Sequence, residues 1–358
     1  MKNCHSDYMN WAKLHSKARY NLATSGVGAF PLRELGVTID QLEINGDSTY
    51  GYAPLQEAIA KKCEVSPDSV VAAAGTSMAN HLAMAALLEP GDEVLMEHPT
   101  YELLVSTARY FGADVKTFAR LESERYALNP ATVRKAVSAK TKLIVITNLH
   151  NPSSVLATDA TLCEVGDIAS SIGAHVLVDE VYLDAVYENT PRTAFHLGPE
   201  FIVTNSLTKV YGLSGLRCGW ILAQPDLADK MWRLNDLFSS IPAHPAELLS
   251  VIALQHLDKI RERARKIVEA DRAVLSRFLD EHTPQHLSAV RTKFGTTSFA
   301  GLKKGTSDEF LTALRRDSET TVVPGRFFGM PNYFRIGMGV NHEMFTEGLR
   351  RIARTLSC

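Results

Sequence analysis

The sequence predicts an α/β protein with a mostly parallel, doubly wound sheet in a large domain and a smaller α+β domain after it. Short apolar runs alternate with helical patterns between about residue 70 and residue 224. This alternation is typical of a parallel sheet covered by helices on both faces. Several runs end in polar residues, and the carboxyl ends of parallel strands share one edge of a sheet. We therefore expect a single ligand crevice at that edge.

Length, composition and charge are those of an ordinary soluble enzyme. The chain has 358 residues, 45% of them hydrophobic, and a formal net charge of −2. Nucleic-acid-binding domains usually carry a basic surface, so this charge argues against a nucleic-acid partner. The N-terminus lacks the apolar core of a signal peptide, and no apolar run is long enough to span a bilayer. We expect a cytoplasmic protein without a membrane partner.

The cysteines and histidines indicate neither disulfide bonds nor a metal centre. The five cysteines are odd in number, widely scattered and never spaced as Cys-x-x-Cys. Such spacing is typical of reduced thiols. The twelve histidines form no ligand-spaced pair on a predicted helix. We therefore expect no metal.

The chain divides into three predicted segments. Residues 1–42 form an N-terminal helix and arm that join the small domain, and residues 43–240 form the large α/β domain. Residues 241–358 combine a long interdomain helix with the small α+β domain. Apolar residues at helical spacing predict a first helix near Tyr8 and long helices between about Ala246 and Leu279.

Two strand ends in the large domain carry groups suited to charged ligands. Gly75, Thr76 and Ser77 follow an apolar run and open a helix, where free backbone N–H groups favour an anion such as phosphate. Asp179 follows the apolar run 175–178. A carboxylate at the tip of a buried strand needs a partner, and a lysine or arginine would be the ordinary one.

The stretch from Ser206 to Gly219 carries the candidate reacting group. It follows the apolar run 201–203 and supplies hydroxyls, the amine of Lys209 and the guanidinium of Arg217. Ser206 and Arg217 can both bind an anion, and the nearby glycines let the backbone approach a ligand closely. A lysine after a strand is often only a solvated loop charge, but these neighbours favour a functional role for Lys209.

This stretch resembles the lysine segment of the class I/II aminotransferases, the fold-type I enzymes that use pyridoxal phosphate (PLP). In that family Ser-x-x-Lys followed by an arginine supplies the Schiff-base lysine and two phosphate ligands. Those roles would fall on Lys209, Ser206 and Arg217. The resemblance thus implies PLP as the cofactor and residues 43–240 as the PLP-binding domain.

The resemblance also implies the other cofactor contacts. The helix start at Gly75–Ser77 would complete the phosphate site, and Tyr101, two positions after a proline, would stack on the pyridine ring. Asp179 would keep the pyridine nitrogen protonated. Asn151 and Tyr182 would hydrogen-bond the phenolic oxygen of the ring, and Tyr182 would tune the reacting imine.

Further positions are implied for the substrate and for a second subunit. Arg335, in a Phe-Arg-Ile context, would bind the substrate α-carboxylate with both arms of its guanidinium. The glycine-bearing arm at Gly26 would lie over this carboxylate, and Asn151 would also bind the substrate. Tyr50 or Tyr52 would reach the phosphate of a partner subunit, so the resemblance implies a homodimer with active sites at the interface.

The function that the resemblance implies is transfer of the amino group of an L-α-amino acid to a 2-oxo acid through a Schiff base on Lys209. The chain departs from the family at Gln56, where arginine is usual, and at Val155, where a glycine normally follows the Asn-Pro pair. A PLP-dependent lyase, or a cyclase of the capreomycidine-synthase type, would use the same residues and stays open as an alternative.

Two interpretations from other classes are disfavoured. Ser206-Leu207-Thr208-Lys209 also fits the Ser-x-x-Lys pattern of penicillin-binding proteins and β-lactamases, but their Ser-Asp-Asn and Lys-Thr-Gly motifs are missing. A transcriptional regulator that senses PLP would need an additional DNA-binding domain, and too few residues precede Tyr50 to form one.

Overall fold

Strands and helices alternate along the chain in the computed structural model, which describes residues 4–47 and 49–357. The strands, in chain order, are β1 (Tyr20–Asn21), β2 (Val70–Ala74), β3 (Glu93–His98), β4 (Asp114–Ala119), β5 (Thr141–Thr147), β6 (His175–Asp179), β7 (Phe201–Ser206), β8 (Cys218–Leu222), β9 (Leu287–Ala289), β10 (Thr297–Leu302), β11 (Thr320–Thr321), β12 (Val323–Pro324) and β13 (Tyr333–Gly337). The helices are α1 (Asp7–Leu14), α2 (Ala53–Cys63), α3 (Thr76–Leu87), α4 (Glu102–Tyr110), α5 (Pro130–Ala136), α6 (Asp159–Ser171), α7 (Pro225–Asn235), α8 (His244–Gln255), α9 (Leu257–His282), α10 (Ser307–Ser318) and α11 (His342–Leu356).

A seven-stranded sheet, in the order β2-β8-β7-β6-β5-β3-β4, forms the centre of the large domain. The strands from β3 to β7 pair in parallel, whereas β8 is antiparallel to its neighbours β2 and β7. Every residue of β7 is buried, and so is every residue of β5 except Lys142. Such continuous burial is what a parallel sheet with both faces covered requires. The predicted α/β class with a mostly parallel sheet is confirmed.

The helical stretch predicted between Ala246 and Leu279 is divided at His256 into α8 and α9. The buried residues of α9 recur every three or four positions, which places them on one face of the helix; they are Ile260, Ala264, Val268, Asp271, Leu275, Phe278 and Leu279. This apolar face explains why so polar a sequence forms a helix of 26 residues.

A four-stranded antiparallel sheet, in the order β12-β13-β10-β9, forms the centre of the small domain. The N-terminal arm joins it, because β1 pairs in parallel with β11. Leu22 from this arm is fully buried in one apolar cluster with Phe334 and Phe345. The predicted α+β part of the fold is therefore also confirmed, and it includes the N-terminal arm.

In the part of the chain that the structure describes, no helix combines the length and the apolarity needed to cross a membrane. Cys63, Cys163 and Cys218 carry free thiols.

Candidate active site

A cavity of about 280 Å³ lies at the edge of the large sheet where β5, β6 and β7 end and α3 begins. Most of the residues predicted for the site line this one cavity: Thr76, Ser77, Tyr101, Asn151, Asp179, Tyr182, Lys209, Arg217 and Arg335. These side chains come from four strand ends, one helix start and the small domain. The fold thus brings together groups that lie far apart in the sequence.

One corner of the cavity is suited to an anion. Gly75 adopts a φ of 80° and precedes α3, so the free N–H groups of the first helical turn face this corner. The Arg217 guanidinium is held there by a hydrogen bond from Nη2 to the carbonyl oxygen of Ala74 (2.9 Å). A Cβ atom on residue 75 would overlap this guanidinium. The close approach of backbone and guanidinium therefore requires glycine.

Ser206 lies behind this corner, whereas Thr208 faces the cavity. The Ser206 hydroxyl accepts hydrogen bonds from Thr76 Oγ1 (2.8 Å) and from the Thr208 backbone N–H (3.3 Å). The hydroxyl of Thr208 lines the cavity, and its oxygen is buried without a hydrogen-bond partner. Thr208 is therefore an anion-binding candidate that the sequence pattern did not identify.

Asp179 is buried at the end of β6, with 4% of its surface exposed. Its carboxylate accepts hydrogen bonds from Asn80 Nδ2 (2.8 Å) and from the Val181 backbone N–H (3.1 Å). Burial raises the pKa of Asp179 to about 6, although these hydrogen bonds and the positive charge of Lys209 oppose the rise. Among the described residues none forms an ion pair with Asp179, so this carboxylate is available to a cationic group in the cavity.

The N-terminal arm passes directly over Lys209. The Val27 backbone N–H donates to the carbonyl oxygen of Lys209 (2.7 Å), and a Cβ on Gly26 would lie 3.2 Å from the same oxygen. Next to this contact, the Tyr182 hydroxyl donates to Ser25 Oγ (2.8 Å). Gly26 thus allows the arm to close one side of the cavity, although Ser25 is the arm residue that lines it.

Arg335 reaches the cavity from β13 and is buried, with 1% of its surface exposed. Its Nη1 donates to Asn151 Oδ1 (2.9 Å), and its Nη2 donates to the Tyr8 hydroxyl oxygen (3.2 Å) and more weakly to the Ala23 carbonyl oxygen (3.4 Å). No carboxylate of the described residues pairs with this buried guanidinium, so it is suited to bind a carboxylate from a ligand.

A buried ion pair supports the loop that carries Asn151. Glu97 and Arg120 have fully buried side chains, and Arg120 Nη1 lies 2.7 Å from Glu97 Oε2. Glu97 also accepts a hydrogen bond from the Thr147 backbone N–H (2.7 Å), and Thr147 Oγ1 accepts one from the Asn151 backbone N–H (2.8 Å). This network fixes the loop in which Val155 replaces the usual glycine.

Sequence reasoning missed several residues of the site. Asn80 lies one helical turn after Thr76, so the two share a face of α3, and this spacing could have identified it. Tyr8, Glu97 and Arg120 carry no such local signal, because their partners are distant in the sequence.

Tyr50 and Tyr52 lie outside the cavity of their own chain. Tyr50 is half exposed, and its hydroxyl donates to Asp236 Oδ2 (3.0 Å). Tyr52 packs edge-on against the ring of His244, with 4.9 Å between the ring centroids. The choice between the two tyrosines for a contact with a second subunit stays a prediction.

Comparison with known proteins agrees with this geometry. The family model for aminotransferase class I and II matches residues 40–352. The chain is 27% identical to an aspartate aminotransferase of Streptomyces avermitilis over 86% of this chain and 80% of that protein. It is also 27% identical to a capreomycidine synthase of Streptomyces vinaceus over 95% of this chain and 90% of that protein.

A solved structure has the same fold. The crystal structure of a PLP-dependent aminotransferase from Streptococcus suis superposes with a TM-score of 0.92 at 27% identity, and the match covers 100% of this chain and 98% of that one. The family match covers the cavity residues from Thr76 to Arg335, whereas those of the N-terminal arm precede it. The chain therefore belongs to the class I and II aminotransferases, a family of fold-type I enzymes whose cofactor is pyridoxal phosphate.

Proposed function

We propose that this enzyme is an aminotransferase that moves the amino group of an L-α-amino acid to a 2-oxo acid, with Lys209 as the residue that holds PLP covalently. One observation carries the proposal: an amine, a buried carboxylate and a buried guanidinium, from Lys209, Asp179 and Arg335, line a single cavity. These three groups supply a nucleophile, a partner for a cationic ring and a carboxylate receptor.

The donors and acceptors around the cavity fit PLP. Arg217, Thr76, Ser77 and Thr208 surround the anion corner and would hold the phosphate, with Ser206 orienting Thr76. Among the described residues, Asp179 accepts hydrogen bonds from two donors, which leaves it free to accept from a protonated ring nitrogen.

The remaining cofactor contacts would come from the cavity walls. Asn151 and Tyr182 would bind the phenolic oxygen of PLP, and Tyr101 would lie against the ring. When bound, PLP supplies an electron-accepting ring that stabilises negative charge at the substrate Cα.

Each protein group then has a defined task. Arg335 binds the substrate α-carboxylate and orients the Cα–H bond toward Lys209. The Lys209 amine, once released from the cofactor, would accept the proton from Cα of the substrate. It would later donate a proton to C4′ of the cofactor. Asp179 stays ionised beside the ring nitrogen and keeps that nitrogen protonated.

A lyase or a cyclase is the second candidate. The similarity to a capreomycidine synthase extends over 95% of this chain, and the residues assigned above serve elimination and cyclisation as well as transfer. In addition, Lys209, Arg217 and Arg335 are the only lysines and arginines among the described residues that line the cavity. Each already has a task, so none of the described lysines and arginines in this cavity is left for a second carboxylate on a substrate side chain.

A homodimer in the cytoplasm is part of the proposal. Tyr50, Leu237, Phe238 and Ile241 are exposed apolar residues, and we refer to them as the apolar patch. Ile241 lines a second cavity of about 370 Å³ together with Arg217. The apolar patch therefore adjoins the anion corner, where a second subunit would supply Tyr50 or Tyr52.

The test is to incubate the PLP-loaded protein with a panel of amino acids and a 2-oxo acid acceptor. Transfer predicts a new amino acid and a new 2-oxo acid in equal amounts. Ammonia, a thiol or a cyclised product formed without an acceptor would instead support the lyase or cyclase. The Lys209→Ala variant is the control and should form none of these products above background.

A further inference from the structure

The N-terminal helix α1 places a hydroxyl group inside the cavity beside the carboxylate receptor. Tyr8 lines the cavity together with Lys209 and Arg335, and only 8% of its surface is exposed. The Arg335 Nη2 donates to the Tyr8 oxygen at 3.2 Å. Tyr8 thus contacts the group that binds the substrate carboxylate, although it lies more than 300 residues away in the sequence.

The position of Tyr8 is fixed by contacts on several sides. Its ring packs edge-on against Tyr101 (5.2 Å between ring centroids) and Phe327 (5.5 Å). Its backbone N–H donates to Glu102 (3.4 Å), which also accepts from the Ser6 side chain that caps α1. The hydroxyl is therefore positioned by packing and by helix capping, as a binding group must be.

The hydrogen-bond geometry leaves the Tyr8 proton available. A phenol can donate one hydrogen bond and also accept. The Tyr8 oxygen accepts from Arg335, so its own hydrogen is free to point into the cavity. A carboxylate that binds Arg335 would lie within reach of this hydrogen, and would accept from the guanidinium and the phenol together.

The charges around Tyr8 strengthen it as a donor. Burial alone would raise the pKa of the phenol, but the positive charges of Arg335 and Lys209 outweigh burial and lower the pKa of Tyr8. A more acidic hydroxyl donates a stronger hydrogen bond to an anion.

We infer that Tyr8 is a substrate-binding residue whose hydroxyl donates a hydrogen bond to the α-carboxylate held by Arg335, an inference that rests on the proposed function. α1 then does more than cover the cavity. It supplies part of the receptor that distinguishes an amino acid from an amine.

Two small reagents test this without knowledge of the natural substrate. Aminooxyacetate and O-methylhydroxylamine both condense with the aldehyde carbon of bound PLP and displace the Lys209 amine, which changes the visible absorption. Only aminooxyacetate carries a carboxylate. Tyr8→Phe removes the hydroxyl and keeps the ring that packs on Tyr101 and Phe327, so the fold is preserved. The matched control is Trp11→Phe, an aromatic change in the same helix at a side chain that does not line the cavity.

We expect Tyr8→Phe to slow the reaction with aminooxyacetate about tenfold, the effect of losing one hydrogen bond to a charged group, and to leave the rate with O-methylhydroxylamine unchanged. Trp11→Phe should change neither rate. Equal rates for wild type and Tyr8→Phe with aminooxyacetate, or a faster reaction of the variant, would refute the role of Tyr8 and leave the proposed function standing. If the wild type reacts with neither reagent, the cofactor assignment fails and this inference fails with it.

Discussion

Asp179 links the chemistry of the cavity to pH at the scale of a single residue. Its carboxyl is buried and has a pKa of about 6 in the protein without cofactor, whereas an ordinary aspartate titrates near 4. Between about pH 4 and about pH 6, Asp179 therefore keeps its proton in the folded state and loses it in the unfolded chain. Because of this difference, the free energy of unfolding falls as pH rises through this range. A cationic ring nitrogen prefers the ionised carboxylate, so PLP affinity should fall as pH drops below about 6.

Asn80 provides the test of this argument. Its side chain donates to Asp179 (2.8 Å) and thereby favours the ionised form. In Asn80→Ala the pKa of Asp179 should rise. The fall in PLP affinity at low pH, which we call the acidic limb, should therefore move to higher pH. The measurement is a PLP titration from about pH 5 to about pH 8, a range that brackets the expected shift.

Asn129→Ala is the matched control, because it removes the side chain that caps α5 and lowers stability without touching the cavity. It should leave the acidic limb where it is in the wild type. An acidic limb at the same pH in Asn80→Ala would contradict the role of Asn80.

The residues that line the cavity were predictable where the sequence carries a motif, and less so elsewhere. Lys209 and Asp179 follow apolar runs, and strand ends meet at one edge of a parallel sheet, so their proximity could be expected. Tyr8 contacts Arg335 across nearly the whole chain. Only the packing of the N-terminal arm on the small domain brings them together, and no local pattern encodes it.

At the scale of elements, the start of α3 is the part of the fold on which the anion corner depends. Gly75 and Gly91 both have positive φ angles, 80° and 95°. An alanine at either position should therefore cost backbone strain of roughly 1–3 kcal/mol, and the cost should be larger at residue 75, because a φ of 80° with a ψ of 168° is essentially restricted to glycine. Only at residue 75 would the new Cβ overlap the Arg217 guanidinium; at residue 91 it would meet no atom within 4 Å.

Gly75→Ala and Gly91→Ala therefore form a matched pair. We expect both to lower the free energy of unfolding in urea denaturation, Gly75→Ala by the larger amount. Gly75→Ala should in addition weaken PLP binding at least tenfold, roughly the loss of one charge-assisted contact, and Gly91→Ala should not. Equal PLP affinities in the two variants would show that this corner does not hold the phosphate.

The alternation of apolar runs and helical patterns sufficed to predict a mostly parallel sheet, because buried parallel strands leave a clear signal, but it did not identify β4, β8 or most of the helices. The buried ion pair that supports the loop carrying Asn151 left no such signal in the sequence. Glu97 is the penultimate residue of β3 and Arg120 follows β4, and they meet only because β3 and β4 are neighbours. A charged pair with fully buried side chains could not be inferred from apolar periodicity, since it interrupts that periodicity.

At the scale of the whole molecule, the apolar patch determines the expected assembly. Leu237 is 79% exposed and belongs to this patch, and a contiguous exposed apolar patch commonly marks a surface that binds a partner. We expect the protein to be a dimer in sedimentation experiments and Leu237→Asp to shift it toward the monomer.

The dimer prediction has its own control and its own counter-result. Leu121→Asp changes an exposed leucine, 48% exposed, that is not part of the apolar patch, and it should leave the dimer intact. Because the patch adjoins Arg217, Leu237→Asp should also weaken PLP binding. A monomeric wild-type protein with full PLP affinity would contradict the proposed interface. The predicted domain boundaries at residues 42 and 240 stay predictions at this scale.

We propose that a single amine, that of Lys209, holds the cofactor. The most direct measurement is reduction of the PLP-loaded protein with borohydride, followed by proteolysis and mass spectrometry of the peptides. We expect one pyridoxyl adduct, on Lys209, and none in Lys209→Ala. Lys142→Ala, which changes an exposed lysine on β5, should retain the adduct. An adduct on another lysine, or no adduct in the wild type, would refute the assignment of Lys209.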